Sequence, residues 1–99
     1  MSVIHGNEKD FENLINNDLI VVDFFATWCG PCKMLGQVLE TMEDVNIIKI
    51  NVDEEEELAK RYKIMSIPNL LIIKDGEIKK QLIGFRSKEE LLKEIDNVK

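Results

Sequence analysis

The chain has 99 residues, of which 44% are hydrophobic and 32% charged, and its formal net charge is −6. That length holds one compact domain, 1–99, rather than two separate cores, and apolar runs spread along the whole chain exclude disorder. The acidic balance argues against nucleic acid or an anionic membrane surface as partner, because both select for clusters of Lys and Arg.

Met1 to Glu8 lacks the basic segment and apolar stretch of a secretory signal, so a cytoplasmic location is the default expectation. Asn7 can cap a first helix in which Phe11, Leu14 and Ile15 recur at helical spacing. The run Leu19 to Ala26 is nearly all apolar and rich in β-branched and aromatic residues, which suits a central strand covered on both faces. Asp23 interrupts it, and it is far too short to span a bilayer. Pro31 sits where a helix can start without its amide hydrogen, and Leu35, Val38, Leu39 and Met42 then follow as one buried helical face.

Val45 to Val52 reads as a second buried strand, and Glu54 to Tyr62 as a short acidic helix with Leu58 and Tyr62 inward. Asn69 to Lys74 and Glu77 to Ile83 make a hairpin about Asp75-Gly76, a strong two-residue turn signal. Ser87-Lys88-Glu89-Glu90 is a capping box that opens a last helix, expected to bury Leu91, Leu92, Ile95 and Val98. The order after the first helix is β-α-β-α-β-β-α. It predicts an α/β fold, a central mixed sheet of four to five strands with helices on both faces.

Trp28-Cys29-Gly30-Pro31-Cys32 falls where the first buried strand hands over to a helix. Residues three apart on a helical turn lie roughly 5–6 Å from one another, the separation a disulfide requires. A disulfide closing so short a loop constrains the unfolded chain little, so stability is a poor reason for the pair. Cys29 at the helix entrance meets unpaired amide hydrogens and the positive end of the helix dipole, which stabilise a thiolate. Cys29 is therefore assigned as the nucleophile, and Cys32, one turn inside and shielded, as the resolving thiol. The alternatives are a zinc half-site, an iron–sulfur ligand pair or two incidental buried cysteines. Two Cys and one His give a monomer at most three ligands where structural zinc takes four, so no metal is expected.

Asp23 is the other anomaly, a carboxylate in the most buried strand. If buried, its pKa rises toward neutrality, and it becomes a candidate general base for the Cys32 proton; the alternative is an Asp facing solvent on an edge strand. Lys49 is a candidate for the charge that tunes Asp23, or merely a solvated strand-end lysine. Trp28 before the dithiol reads as a shield and apolar contact surface. Pro68 carries no sequence signal for a cis bond, since only about 5–6% of X–Pro bonds are cis. His5 reads as an exposed bystander, and Asp53 to Glu57 as a solvated helix start rather than a cation site.

Asp23-Phe24-Phe25-Ala26-Thr27-Trp28-Cys29-Gly30-Pro31-Cys32-Lys33-Met34 resembles the active-site segment of the thioredoxin family, and the likeness covers almost the whole chain. Lys49-Ile50-Asn51-Val52-Asp53 is similar to the family's next strand, Ile67-Pro68 to its cis-proline loop, and Gly84 to the glycine of its docking surface. The resemblance implies a thioredoxin fold, a catalytic group of Cys29, Cys32, Asp23 and Lys49, and substrate contacts at Trp28, Gly30, Pro31, Ile67, Pro68 and Gly84. It implies a cis Ile67–Pro68 bond facing the cysteines, with the Ile67 backbone pairing with a substrate strand. It further implies a monomer without bound cofactor, reducing disulfides of partner proteins and recycled with electrons from NADPH by a thioredoxin reductase.

Gln37, after Gly36, stands where the family commonly has a proline that kinks the active-site helix, Asn69 where Thr is usual, Phe25 in place of a common Trp, and Phe85 where a small residue is often found. These departures bear on partner choice more than on chemistry. A disulfide oxidase or isomerase of the same fold is the competing activity, and Gly30-Pro31 resembles the reductase version. A non-catalytic binding module of this fold would have no need of two intact cysteines.

Overall fold

Residues 2–15 and 18–99 are described by the computed structural model. Within them the elements follow as β1 (Ser2–His5), α1 (Glu8–Ile15), β2 (Leu19–Phe25), α2 (Gly30–Glu40), β3 (Asn46–Asn51), α3 (Glu56–Arg61), β4 (Asn69–Lys74), β5 (Glu77–Ile83) and α4 (Lys88–Val98). Five strands form one sheet in the order β1-β3-β2-β4-β5. β1, β3 and β2 run parallel, while β4 and β5 are antiparallel additions. The sheet is mixed, as expected, and its first strand is the one element that the sequence reading omitted.

The apolar run of β2 places it at the centre of the sheet, because only a strand covered on both faces buries consecutive Val, Phe and Ile side chains. Alternate residues then feed two cores. Val21 packs with Leu35, Leu39 and Met42, with Ile47 of β3, with Leu70 and Ile72 of β4, and with Leu91 and Ile95 of α4. Ile20, Val22 and Phe24 face the other way, onto Phe11, Ile48, Ile50 and Leu58, with Tyr62 edge-on to Phe11. Thus α2 and α4 cover one face and α1 and α3 the other.

Leu92 is a correction. It is 40% exposed, whereas Leu91 and Ile95 are buried and Val98 is packed against the core. Leu91, Ile95 and Val98 fall on one stripe at helical spacing, and Leu92 lies about 100° round from Leu91. The Asp75-Gly76 turn forms as expected, with φ of 52° and 80° at its two residues. α4 begins with the full capping box: the Ser87 hydroxyl accepts from the Glu90 amide at 3.2 Å, and the Ser87 amide donates to the Glu90 carboxylate at 3.1 Å. No helix among the described residues is long and apolar enough to cross a membrane.

Candidate active site

The chain leaves β2 at Phe25 and enters α2 within five residues. Cys29 is the N-cap residue of α2 and Pro31 lies in its first turn, where an absent amide hydrogen removes no helical bond. Cys29 and Cys32 are joined as a disulfide with a Cα–Cα separation of 5.2 Å. Cys29 Sγ also accepts the Cys32 amide at 3.1 Å, so an N-cap sulfur satisfies one of the helix's free donors. Exposure separates the two sulfur-bearing residues little, at 6% for Cys29 and 2% for Cys32. Their inequality lies in position: Cys29 caps the positive end of α2, and Cys32 sits one turn inside it.

Asp23 occupies the middle of β2 and is fully buried. Neither carboxylate oxygen has a hydrogen-bond partner among the described residues. Lys49 is its register partner on parallel β3, and the ammonium Nζ stands 3.9 Å from Asp23 Oδ2. Burial raises the Asp23 pKa from 3.8 to about 6, and the Lys49 charge moderates the rise. The edge-strand alternative is thereby gone, since β2 has a neighbour on each side. Lys49 also lies over the Phe25 ring, 4.6 Å from its centroid, where a cation meets the electron-rich face.

The second half of the site comes from the loop before β4. The Ile67–Pro68 bond is cis, which the sequence physics alone did not favour and the family resemblance implied. Ile67 packs beside Ala26, Cys29 and Cys32. Its backbone amide and carbonyl make no hydrogen bond within the described residues. The Gly84 amide donates to the Pro68 carbonyl at 2.8 Å, and Gly84 has φ of +92°, a conformation that suits glycine and strains other residues. Asn69 is buried, donating to the Ser66 carbonyl at 3.3 Å and accepting from the Gln81 amide at 3.1 Å, so it ties this loop to β5.

The segments that carry the site expose several large apolar side chains. Trp28 is 71% exposed, and its indole Nε1 donates to Asp53 Oδ2 at 2.8 Å. Met65, two residues before the cis bond, is 92% exposed, and Phe85 beside Gly84 is also exposed. Nothing surrounds the Cα of Gly30 on its side-chain side, so the chain there lies open to an approaching backbone. Asp53 is the member that sequence reading missed. Its partner lies 25 residues away, and the acidic run that contains it looked like an ordinary helix start. His5 is exposed, with an edge contact to Phe25, and no group of three or more Cys, His, Asp or Glu able to hold a metal occurs among the described residues.

The geometry matches known proteins closely. The family model for thioredoxin matches residues 2–97. A thioredoxin from Staphylococcus epidermidis is 41% identical over 101 aligned residues, which cover 97% of each chain. One from Bacillus subtilis is 41% identical over 96 residues, covering 92% of each. A mutant thioredoxin from Halobacterium salinarum superposes with a TM-score of 0.87 at 33% identity, covering 97% of this chain and 88% of that one.

Proposed function

The chain belongs to the thioredoxin family and is a thiol–disulfide oxidoreductase, and we propose that it works as a dithiol reductant of proteins, with Cys29 attacking, Cys32 resolving and Asp23 receiving the proton. The observation that carries this reading is the Cys29–Cys32 pair at the N-terminus of α2, on the face of the sheet where a buried carboxylate lies that has no hydrogen-bond partner among the described residues. In the reduced form a Cys29 thiolate keeps the Cys32 amide as a donor and the helix dipole as a counter-field. It attacks one sulfur of a partner disulfide, and the other partner sulfur leaves as a thiolate. A mixed disulfide through Cys29 remains.

Cys32 then loses its proton to Asp23 and attacks Cys29 Sγ. The second partner sulfur leaves as a thiolate that takes its proton from solvent, Asp23 returns its own proton to solvent, and the Cys29–Cys32 disulfide is closed. The partner has gained two electrons and the dithiol has lost them. A pKa of about 6 suits Asp23 to this step, because it is ionised at neutral pH and yet more basic than an ordinary Asp. The Ile67 backbone is proposed to pair with an extended segment of the partner, while Trp28, Gly30, Pro31, Pro68 and Gly84 form the contact surface. Return to the dithiol requires two electrons, proposed to come from NADPH through a thioredoxin reductase, in the cytoplasm and with the chain acting as a monomer.

Cys32→Ser should accumulate mixed disulfides through Cys29, and Cys29→Ser should accumulate none, read on non-reducing gels with a disulfide-bonded protein substrate. Equal trapping by both variants would overturn the assignment of nucleophile. Equilibration of Cys29/Cys32 against a glutathione series tests the direction: a strongly reducing couple supports the reductase, and an oxidising one the oxidase or isomerase.

A further inference from the structure

Gly36 lies inside α2 on its buried face, where glycine is a poor helix former. A Cβ placed on it would come within 3.2 Å of Lys49 Nζ, closer than ordinary packing allows. Asp23 Oδ2, the Phe25 ring and the Gly36 backbone therefore stand around the same ammonium. A cleft of about 250 Å³, lined in part by Cys32, Gly36, Gln37, Glu40 and Lys49, opens this place to solvent. The Lys49 side chain is 19% exposed, so it is largely withdrawn from water beside a carboxylate wholly withdrawn from it.

We infer that Gly36 is a positioning residue for the proton acceptor: by carrying no side chain it leaves the space in which the Lys49 ammonium reaches Asp23. Its mechanistic meaning rests on the reading of Asp23 as the base. A side chain at position 36 displaces the ammonium along the cleft toward solvent, because a lysine end is the mobile partner and the helix backbone is not. Asp23 then keeps its burial and loses its moderating charge, so it holds its proton to higher pH. The other ionisable groups along this cleft are Lys33 and Glu40 of α2, while Cys32, which also lines it, is held in the disulfide. β4 presents Leu70 as the Asp23 register partner, and α4 covers this face with Leu91 and Ile95, so neither adds a charge.

The test is the titration of the Asp23 carboxyl carbon by NMR in the oxidised protein, for wild type, Gly36→Leu, Lys49→Met and the double variant. Both single variants should raise the Asp23 midpoint by about one pH unit, the scale of an opposite charge at this distance. The double variant should match Lys49→Met alone, because Gly36 acts through Lys49. An unchanged midpoint in Gly36→Leu, or shifts that add in the double variant, would overturn the inference. Gly36→Ala provides the same reading with minimal added volume: a smaller upward shift supports the inference, and none sinks it. Should the midpoints move as stated while Asp23→Asn resolves mixed disulfides at the wild-type rate, the role of Asp23 as base fails and the Gly36–Lys49 coupling stands. Normal titration in Gly36→Leu with slow resolution in Asp23→Asn is the reverse result.

Discussion

Asp23 and Lys49 are adjacent across two parallel strands, yet one is fully buried and the other reaches water. A carboxylate in that position is poorly solvated when charged and therefore accepts a proton readily, which suits it to a brief role in catalysis. Asp23→Asn should slow resolution of the mixed disulfide near neutral pH on the order of 10²-fold, the usual lower range for a general base, and leave initial attack by Cys29 intact. Stopped-flow mixing with a disulfide substrate separates the two phases; an unchanged second phase removes Asp23 from the mechanism. Asp23 was legible in the sequence because a charge in the middle of an apolar strand has few bland explanations. The Trp28–Asp53 hydrogen bond was not, since nothing in either local pattern points to the other. The space at Gly36 was not legible either. A glycine in a helix advertises weakness, and only the packed neighbour shows what the missing atoms make room for.

Among the elements, those with strong local grammar were read correctly. β2 is apolar but for Asp23, β4 is apolar between Asn69 and Lys74, α2 has a proline in its first turn, and α4 has reciprocal capping hydrogen bonds. Ser87→Ala removes one half of that cap and should lower stability by about 1 kcal/mol, seen as a lower urea midpoint at constant slope. A loss near zero would show that water replaces the hydroxyl at no cost. β1 is the contrasting case. It is four residues long at the sheet edge and is defined by its pairing with β3, from Ser2 opposite Asn46 to His5 opposite Lys49. That information lies in the partner strand some 44 positions on, out of reach of any local pattern. β5 similarly keeps only Leu82 buried, so the Asp75-Gly76 turn, rather than strand periodicity, identified it.

At the scale of the molecule, the buried acid makes stability depend on pH. The native Asp23 pKa of about 6 exceeds the ordinary 3.8, so the native state binds this proton more tightly than the unfolded chain. The corresponding stabilisation is complete below about pH 4 and is lost as pH rises through 6. A shift of that size is equivalent to about 3 kcal/mol. Asp23→Leu should therefore be the more stable protein at pH 7.5 by up to that amount, with the gap closing toward pH 4, measured by urea unfolding of the oxidised form across that range. A gap independent of pH would show that the native carboxyl titrates normally.

The two ends of the sheet also differ in employment. Cys29 and Cys32 follow the end of β2, Ile67 and Pro68 precede β4, and Gly84 follows β5, so all meet at one end. The Asp75-Gly76 turn closes the far end of β4, six residues of strand, or roughly 20 Å, from Pro68. A tether grafted onto that turn would hold the molecule on a solid support with its dithiol facing outward, free to meet a passing protein.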